Sequence, residues 1–326
     1  MTRTDTENWD NYWQGRSSHA SGNALVEVGI ESEHALKTVW SEYFRAKPTD
    51  SRVVDLACGA GSVLSHAHAL GFEHLTGVDI SPSAVAVMTD KLPGAAGVVS
   101  ALDDIPLGTS TQDIAVSQFG IEYAGDRDTL ARAFQEIHRI LKPGGELRIV
   151  AHAAGSVIHE GCLASLDAAR MVRDSGFTSV ASSVIEGLAA SSDGRGSAEV
   201  QLQLAKLGRA AEPILAWLRG TKRDTDHFAQ FIFRMLEGTH RLINRHAAYE
   251  PKESLDWIAG MDAEIDAYEG RMVSMTRAAL SRGDLDRLMS ETARLGATFE
   301  WDAPETLSFG ADTRVAAWSI GARKTV

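Results

Sequence analysis

Short apolar runs alternate with helical patterns between Ser51 and His152, and this alternation constrains the fold more than any other feature of the chain. The runs cover residues 52–57, 75–79, 97–102, 114–119 and 146–152. Runs of this length, separated by amphipathic helices, indicate βαβ units in which parallel strands form one sheet with helices packed on its faces. The sequence therefore predicts a doubly wound α/β domain.

The helices between these strands are also visible in the pattern. One apolar face has helical spacing and ends at the segment LKPGG; it is formed by Leu130, Ala133, Phe134, Ile137, Ile140 and Leu141. Ser81 and Pro82 predict the N-cap and the first position of another helix. A third apolar face, over residues 36–44, predicts a helix that packs on the sheet before the first strand.

The rest of the chain has a different pattern. Residues 155–282 show helical periodicity without a convincing strand, and strand patterns return at 298–309 and 315–323. We therefore expect an N-terminal helical cap segment (1–50), an α/β domain (51–154 and 283–326) and a helical insertion (155–282) with a loop near 190–197. The apolar stripe along 254–281 is typical of core packing, and a dimer seam is the alternative.

Charge and cysteine content weigh against several functional classes. The chain carries 32 Lys and Arg against 44 Asp and Glu, a net charge of −12, whereas nucleic acids and anionic membranes are bound through basic side chains. Two cysteines, Cys58 and Cys162, are too few for a four-thiolate zinc site or an iron–sulfur cluster, and the histidines show no metal-ligand pattern. We expect no metal, no nucleic acid and no membrane, and a cytoplasmic protein.

The sharpest local feature is a glycine turn after the first predicted strand, in the segment VVDLACGAGS. Gly59 and Gly61 lack the Cβ atoms that would keep a ligand away from the backbone, and Asp55 stands at the end of the strand. Leu64 occupies the place of the third glycine of a dinucleotide fingerprint, and no lysine of the phosphate-loop type follows. Neither a pyrophosphate nor a triphosphate fits this turn well.

The second predicted strand ends in GVDIS, which places Asp79 at the carboxyl edge of the sheet. An acidic residue at this position accepts two hydrogen bonds from a ribose diol. Capping of the next helix is the explanation that needs no ligand. Together with the glycine turn, Asp79 indicates a ligand that contains a nucleoside.

Four elements, in this order and spacing, resemble the class I S-adenosylmethionine-dependent methyltransferases over residues 52–153. They are the turn DLACGAG, the acid of GVDIS, the segment LDDIPL and the hairpin LKPGGELRIV. The resemblance implies a seven-stranded, mostly parallel, Rossmann-like sheet whose strand 315–323 returns antiparallel. It also implies S-adenosyl-L-methionine as the cofactor and S-adenosyl-L-homocysteine as the product.

The resemblance further implies which residues hold the amino-acid end of the cofactor. Asp55 is expected to order the ammonium group, directly or through water. Ala57, Gly59 and Gly61 would allow close approach to the backbone. Gln118, at the end of the fourth strand, is expected to contact the methionine end as well.

The nucleoside end is expected on the next strands. By the same resemblance Asp79 would hold the ribose hydroxyls, and Ile80 would lie against the adenine ring. Ala101 stands where many relatives carry an acid. We therefore expect Leu102 to offer its backbone amide to the adenine and Asp103 to accept the exocyclic amine.

The acceptor side is less well defined. Glu122 and Tyr123 follow the fourth strand, where relatives line the path from the cofactor to the acceptor. His152 closes the fifth strand and would serve either as a general base for a hydroxyl or thiol acceptor or as a hydrogen-bonded structural residue. Tyr12 and Trp13 precede the first helix and would either fold over the cofactor or dock the N-terminus.

The sequence thus predicts methyl transfer from S-adenosylmethionine to a small or medium-sized organic acceptor. The Asp/Asn-Pro-Pro-aromatic loop of amide methylation is absent after strand four. Transfer of another group from the same cofactor, nicotinamide-dependent oxidoreduction and a non-catalytic binding module are the alternatives. The insertion 155–282 is expected to act as a lid or to bind the acceptor, and it offers a surface for a homodimer.

Overall fold

The computed structural model describes residues 9, 10, 13, 30–191, 197–222, 226–309 and 313–325. Tyr12, most of the predicted segment 1–50 before Ile30 and residues 192–196 of the predicted loop lie outside this description. The chain divides into a sheet unit, Met1–Glu160 with Ser274–Val326, and a helical unit, Gly161–Val273. Within the described residues, no helix has the length and apolar character needed to cross a membrane.

The sheet unit is built on one sheet of eight strands. The strands are β1 (Val53–Leu56), β2 (Leu75–Asp79), β3 (Ala96–Val99), β4 (Gln112–Gln118), β5 (Leu141–His152), β6 (Phe299–Trp301), β7 (Glu305–Leu307) and β8 (Ala317–Lys324). Their order is β3-β2-β1-β4-β5-β8-β6, and β7 also pairs with β8. β1 to β5 are parallel and β8 is antiparallel to β5, so the predicted doubly wound, mostly parallel fold is confirmed.

The sheet contains one more strand than the seven that were predicted, because the run 298–309 forms two strands rather than one. β6 and β7 both pair antiparallel with β8, with Trp301 opposite Ala322 and Glu305 opposite Ser319. Pro304, directly before β7, has no N–H to donate to a ladder. The edge of the sheet is therefore interrupted between the two short strands.

Ten α-helices accompany the strands in the described part of the chain. They are α1 (Ile30–Arg45), α2 (Ser62–Ala69), α3 (Pro82–Lys91), α4 (Arg127–Ile140), α5 (Val157–Asp174), α6 (Phe177–Ala190), α7 (Ala198–Gly220), α8 (His227–Asn244), α9 (Pro251–Ala278) and α10 (Arg282–Arg294). The predicted N-cap is confirmed, because the Ser81 hydroxyl accepts the Ala84 N–H at 3.1 Å and Pro82 begins α3.

The strands of the sheet unit present alternate residues to its two faces. Leu56 packs in one core cluster with Phe134 of α4 and Leu285 of α10, so these two helices cover the same face. Since successive strand residues point to opposite faces, Asp55 belongs to the other face, where α2 and α3 pack. The alternation of residues along β1 therefore places the Asp55 carboxylate on the face that is covered by α2 and α3.

The helical unit contains α6, α7 and α8 and most of α5 and α9. Its core cluster combines Ile258 of α9 with residues of three other helices: Ala181, Val184, Ile185, Leu188, Val200 and Ile243. Ile265 and Tyr268, further along the apolar stripe of α9, are also buried. For Ile258, the core-packing interpretation of the stripe is confirmed.

Candidate functional site

A cavity of about 820 Å³ opens where β1, β2 and β4 end. Because β1 lies between β2 and β4, the chain connections on its two sides run in opposite directions. Such a switch point is where open α/β sheets bind ligands. The walls are formed by Trp9, Trp13, Ala57, Cys58, Gly59, Ser62, Asp79, Ile80, Ser100, Ala101, Leu102, Gln118, Gly120, Tyr123 and Ala124.

The glycine turn forms one wall, and its two glycines do different things. Gly59 has φ +52°, and a Cβ atom there would lie 2.8 Å from the Trp13 ring. Gly61 has φ +75°, and its Cβ would lie 2.5 Å from Cγ of Met88 on α3. Gly59 therefore allows the indole to approach the turn, whereas Gly61 allows α3 to pack and does not line the cavity.

Asp79 anchors the same turn from the neighbouring strand. Its Oδ2 accepts the Gly59 N–H and its Oδ1 accepts the Ser81 N–H, both at 2.9 Å. Burial, as the largest influence, raises the pKa of Asp79, and these hydrogen bonds oppose that rise. A carboxylate has about four acceptor sites, so Asp79 keeps acceptor capacity while lining the cavity.

Asp55 is the most unusual polar residue of the site. Its side chain is 1% exposed, and neither carboxylate oxygen has a hydrogen-bond partner among the described residues. Burial and, secondly, the nearby Asp79 hold the pKa of Asp55 well above its usual range. The structure thus places an unsatisfied acid beneath the turn, although Asp55 is not part of the cavity wall.

Apolar residues form the wall beyond Asp79. Ile80, Ala101 and Leu102 all line the cavity. Asp103 does not line it, and its Oδ2 lies 3.3 Å from Nη2 of Arg132 on α4. The described structure therefore brings the predicted adenine contacts Ile80 and Leu102 together but directs the Asp103 carboxylate to an ion pair.

Aromatic residues close the other sides. Gln118 lines the cavity and its side-chain carbonyl accepts the Trp40 indole N–H at 2.6 Å, which fixes the amide group. Trp13 is 4% exposed, and Trp9 meets the Tyr123 ring edge-on with 5.5 Å between the ring centroids. Residues that precede α1 in the chain, Trp9 and Trp13, therefore contribute directly to the site.

The anchor of this N-terminal segment is Asp10, which the sequence did not indicate. Its Oδ1 accepts the Ser81 hydroxyl at 2.6 Å and the Ser83 N–H at 3.2 Å, at the start of α3. An acid at a helix N-terminus is favourable because the first N–H groups are otherwise unpaired. Asp10 thus holds Trp9 and Trp13 beside the cavity.

His152 forms a buried pair with Glu122. The Glu122 Oε1 accepts the backbone N–H of His152 at 2.9 Å and lies 2.7 Å from its Nδ1. Within the described chain, Glu122 Oε2 and His152 Nε2 have no hydrogen-bond partner. His152 is not a wall of the cavity, but its ring lies 5.8 Å from that of Tyr123, which is one.

Most predicted site residues therefore meet at one cavity: Trp13, Ala57, Gly59, Asp79, Ile80, Leu102, Gln118 and Tyr123. Asp55, Gly61, Asp103 and His152 lie outside its wall. Among wall residues that were not predicted, Gly120 had a usable signal, since a glycine directly after a strand indicates close approach. A Cβ there would lie 2.6 Å from that of Ala57. No group of three acidic, histidine or cysteine side chains suited to a metal occurs in the described residues.

Comparison with known proteins identifies the domain around this cavity. Residues 54–149 match the family described as methyltransferase domain. The ubiquinone/menaquinone biosynthesis C-methyltransferase UbiE of Syntrophotalea carbinolica is 34% identical over 133 residues, which cover 39% of this chain and 54% of that protein. The malonyl-[acyl-carrier protein] O-methyltransferase of Enterobacter lignolyticus is 30% identical over 107 residues, 33% of this chain and 41% of that protein.

A solved S-adenosylmethionine-dependent methyltransferase of Methanosarcina mazei is 14% identical and covers 87% of this chain and 97% of its own, with a TM-score of 0.44. The chain spans about half the length of the first curated relatives it matches. Residues 54–149 therefore match a methyltransferase domain, in agreement with the class I S-adenosylmethionine-dependent methyltransferases that the sequence resembles.

Proposed function

We propose that this protein binds S-adenosylmethionine in the cavity and transfers its methyl group to a small or medium-sized organic acceptor. The observation that carries the proposal is Asp79, a carboxylate that lines the cavity, is oriented by two backbone N–H groups and keeps free acceptor capacity. The names of the relatives, a C-methyltransferase of quinone biosynthesis and a malonyl-[acyl-carrier protein] O-methyltransferase, support the class of reaction. They differ in the acceptor, so the acceptor of this chain stays open.

The residues present fit the cofactor. Asp79 offers oxygens to the ribose hydroxyls, and the apolar side chains of Ile80 and Leu102 suit an adenine ring. The unpartnered carboxyl group of Asp55 suits an ammonium group, because a cation is the partner that a buried acid lacks. When bound, the cofactor supplies a methyl group on a positively charged sulfur, which is already a strong electrophile.

The protein's contribution to such a reaction is alignment and exclusion of water. Trp9, Trp13 and Tyr123 provide rigid aromatic walls, and the hydrogen bond to Trp40 fixes Gln118. Holding two reactants in line converts a bimolecular reaction into a unimolecular step, and this alone can lower the activation barrier substantially. An acceptor that loses no proton would need nothing more from the chain.

For a hydroxyl or thiol acceptor, we propose that His152 is the general base that takes the proton which the acceptor loses. The contact of Glu122 with Nδ1 suits a tautomer in which Nδ1 carries the hydrogen and Nε2 accepts the proton, as in other carboxylate–histidine pairs. Tyr123, which lines the cavity, has its ring 5.8 Å from that of His152. In the competing structural role, replacement of His152 would lower stability without a separate effect on methyl transfer.

Further features of the proposal come from the sequence. The insertion 155–282 would bind the acceptor, self-association would use the same segment, and the protein would act in the cytoplasm. Each of these points stays a prediction. Light scattering of the purified protein gives its mass in solution and decides between a monomer and a homodimer.

The test of the proposed cofactor is calorimetric titration with S-adenosylhomocysteine and with NAD on the same preparation. We expect a saturable heat with S-adenosylhomocysteine and none with NAD. Asp113→Asn is the matched control, because Asp113 pairs with Lys142 at the opposite, amino-terminal end of β4 and should leave the titration unchanged. Tight binding of NAD without a response to S-adenosylhomocysteine would replace the proposal by a nicotinamide-dependent function.

A further inference from the structure

The two buried acids of the site are treated very differently by their surroundings. Asp79 accepts backbone N–H groups from Gly59 and Ser81, at 2.9 Å each. Asp55, on the neighbouring strand β1, has no donor to either oxygen in the described chain, although it is 1% exposed. Backbone donors therefore favour the charged form of Asp79 against the effect of burial, whereas no donor of the described chain does so for Asp55.

The groups around Asp55 reinforce this difference. Asp79 and the Cys58 thiol are the titratable groups that interact with it, and the positions beside it in register on β2 and β4 are Gly77 and Val116. No Lys, Arg or His among the described residues pairs with Asp55 or Asp79. An isolated charge in such surroundings is strongly unfavourable, and a neighbouring acid adds to the cost.

We propose that Asp55 carries a proton in the free protein and releases it when the ammonium group of the cofactor binds, so that cofactor binding expels a proton. The inference rests on the proposed function and deepens it by giving Asp55 a defined charge in each state. The O–H bond of the Asp55 carboxyl breaks, its electron pair stays on oxygen, and the proton passes to the buffer. The new negative charge is then balanced by the ligand's ammonium group.

The proposal predicts how the affinity for the ligand changes with pH. Because the free protein holds the proton more tightly than the complex, raising the pH removes a competitor of binding. Affinity for S-adenosylhomocysteine should therefore rise with pH by up to about tenfold per unit until Asp55 is ionised in the free protein as well. The high pKa of Asp55 in the free protein agrees with this direction.

The experiment measures protons directly. S-adenosylhomocysteine is titrated into the full-length protein at pH 7 in phosphate, HEPES and Tris, whose ionisation enthalpies differ. The slope of the observed enthalpy against the buffer's ionisation enthalpy gives the number of protons exchanged. We expect a measurable release of up to about one proton for each ligand bound. 5′-Methylthioadenosine, which has the nucleoside but no amino-acid end, should bind with a slope close to zero.

Two variants sharpen the result. Asp55→Asn resembles the protonated side chain in shape and charge, so it should fold, bind S-adenosylhomocysteine more weakly and release no proton. Asp113→Asn alters a carboxylate at the other end of the same sheet and should keep the wild-type slope. Any deprotonation of the ligand itself would persist in Asp55→Asn and is thereby separated from Asp55.

The outcomes are distinct. Binding of S-adenosylhomocysteine by the wild type without proton release, or unchanged release in Asp55→Asn, overturns the proposal while leaving the cofactor assignment intact. Equal release with 5′-methylthioadenosine also overturns it, because the ammonium group would then not be the cause. Absence of any binding of S-adenosylhomocysteine contradicts the proposed function itself.

Discussion

Replacement of Asp79 by alanine should weaken binding of S-adenosylhomocysteine at least tenfold. The carboxylate lines the cavity and also holds the turn through the N–H groups of Gly59 and Ser81, at 2.9 Å each. Alanine removes the proposed acceptor of the ribose hydroxyls together with both anchors. The affinity of the ligand and the stability of the protein should therefore both fall.

The size of the effect follows from hydrogen bonding to a charged group. Such a bond contributes about 1.5–3 kcal/mol, and about 1.4 kcal/mol corresponds to a factor of ten, so the affinity should fall by about 10- to 150-fold. Loss of the two backbone anchors of Asp79 should lower the free energy of unfolding by about 1–3 kcal/mol. Part of this loss is offset because the variant no longer buries an acid, and burial raises the pKa of Asp79.

A cycle of two ligands and two proteins separates direct contact from loosening of the turn. S-adenosylhomocysteine and its 2′-deoxy analogue are titrated into the wild type and into Asp79→Ala by calorimetry. We expect the wild type to prefer the hydroxylated ligand by about tenfold or more and the variant to lose this preference. If both ligands lose the same affinity in the variant, Asp79 acts only through the turn and the ribose contact is refuted.

Three further predictions concern neighbouring residues. In the ligand-free protein the raised pKa of Asp55 gives a contribution to stability that is fully present below the pKa of an unfolded aspartate, about 4, and is lost progressively as the pH rises towards the folded-state pKa. Asp55→Asn lacks this loss, so it should gain stability relative to the wild type between about pH 5 and pH 7 in urea denaturation. Parallel pH dependence of the two proteins argues against a protonated Asp55. Gly59→Ala introduces a Cβ 2.8 Å from the Trp13 ring at φ +52°, so it should lower the free energy of unfolding by about 1–3 kcal/mol and weaken cofactor binding. In a Trp13→Ala background the loss of stability should be smaller. The same loss in that background is evidence against the clash. Glu122→Leu removes the acceptor of the His152 backbone N–H and the partner 2.7 Å from its Nδ1. The free energy of unfolding should fall by about 1–3 kcal/mol, which an unchanged urea midpoint would disprove.

The order of the elements was predictable because its signals are local. Alternating apolar runs and helical faces give β1 to β5, α1 and α4, and Ser81 with Pro82 marks the start of α3. Asp79 could be found in the same way, since it is the last residue of a buried strand. Features that depend on residues close together in the sequence could therefore be predicted from the sequence.

Features that depend on distant partners could not be predicted in this way. Asp103 is directed towards Arg132, 29 residues further along the chain, and nothing near Asp103 indicates that partner. Gly61 was expected to bring a ligand close to the backbone, but the atom that its missing Cβ accommodates belongs to Met88. Asp10 reaches the start of α3 from a segment without any periodic pattern. In each case the contact joins residues that are far apart in the sequence.

The most direct test of the central claim follows the methyl group itself. The purified protein is incubated with S-adenosylmethionine carrying a deuterated methyl group and with small molecules extracted from cells, and the products are identified by mass spectrometry. The account predicts a product that gains the labelled methyl group with the wild type and much less of it with Asp79→Ala. Transfer of a different part of the cofactor, or binding of S-adenosylhomocysteine without labelled product in any extract fraction, would contradict methyl transfer as the function.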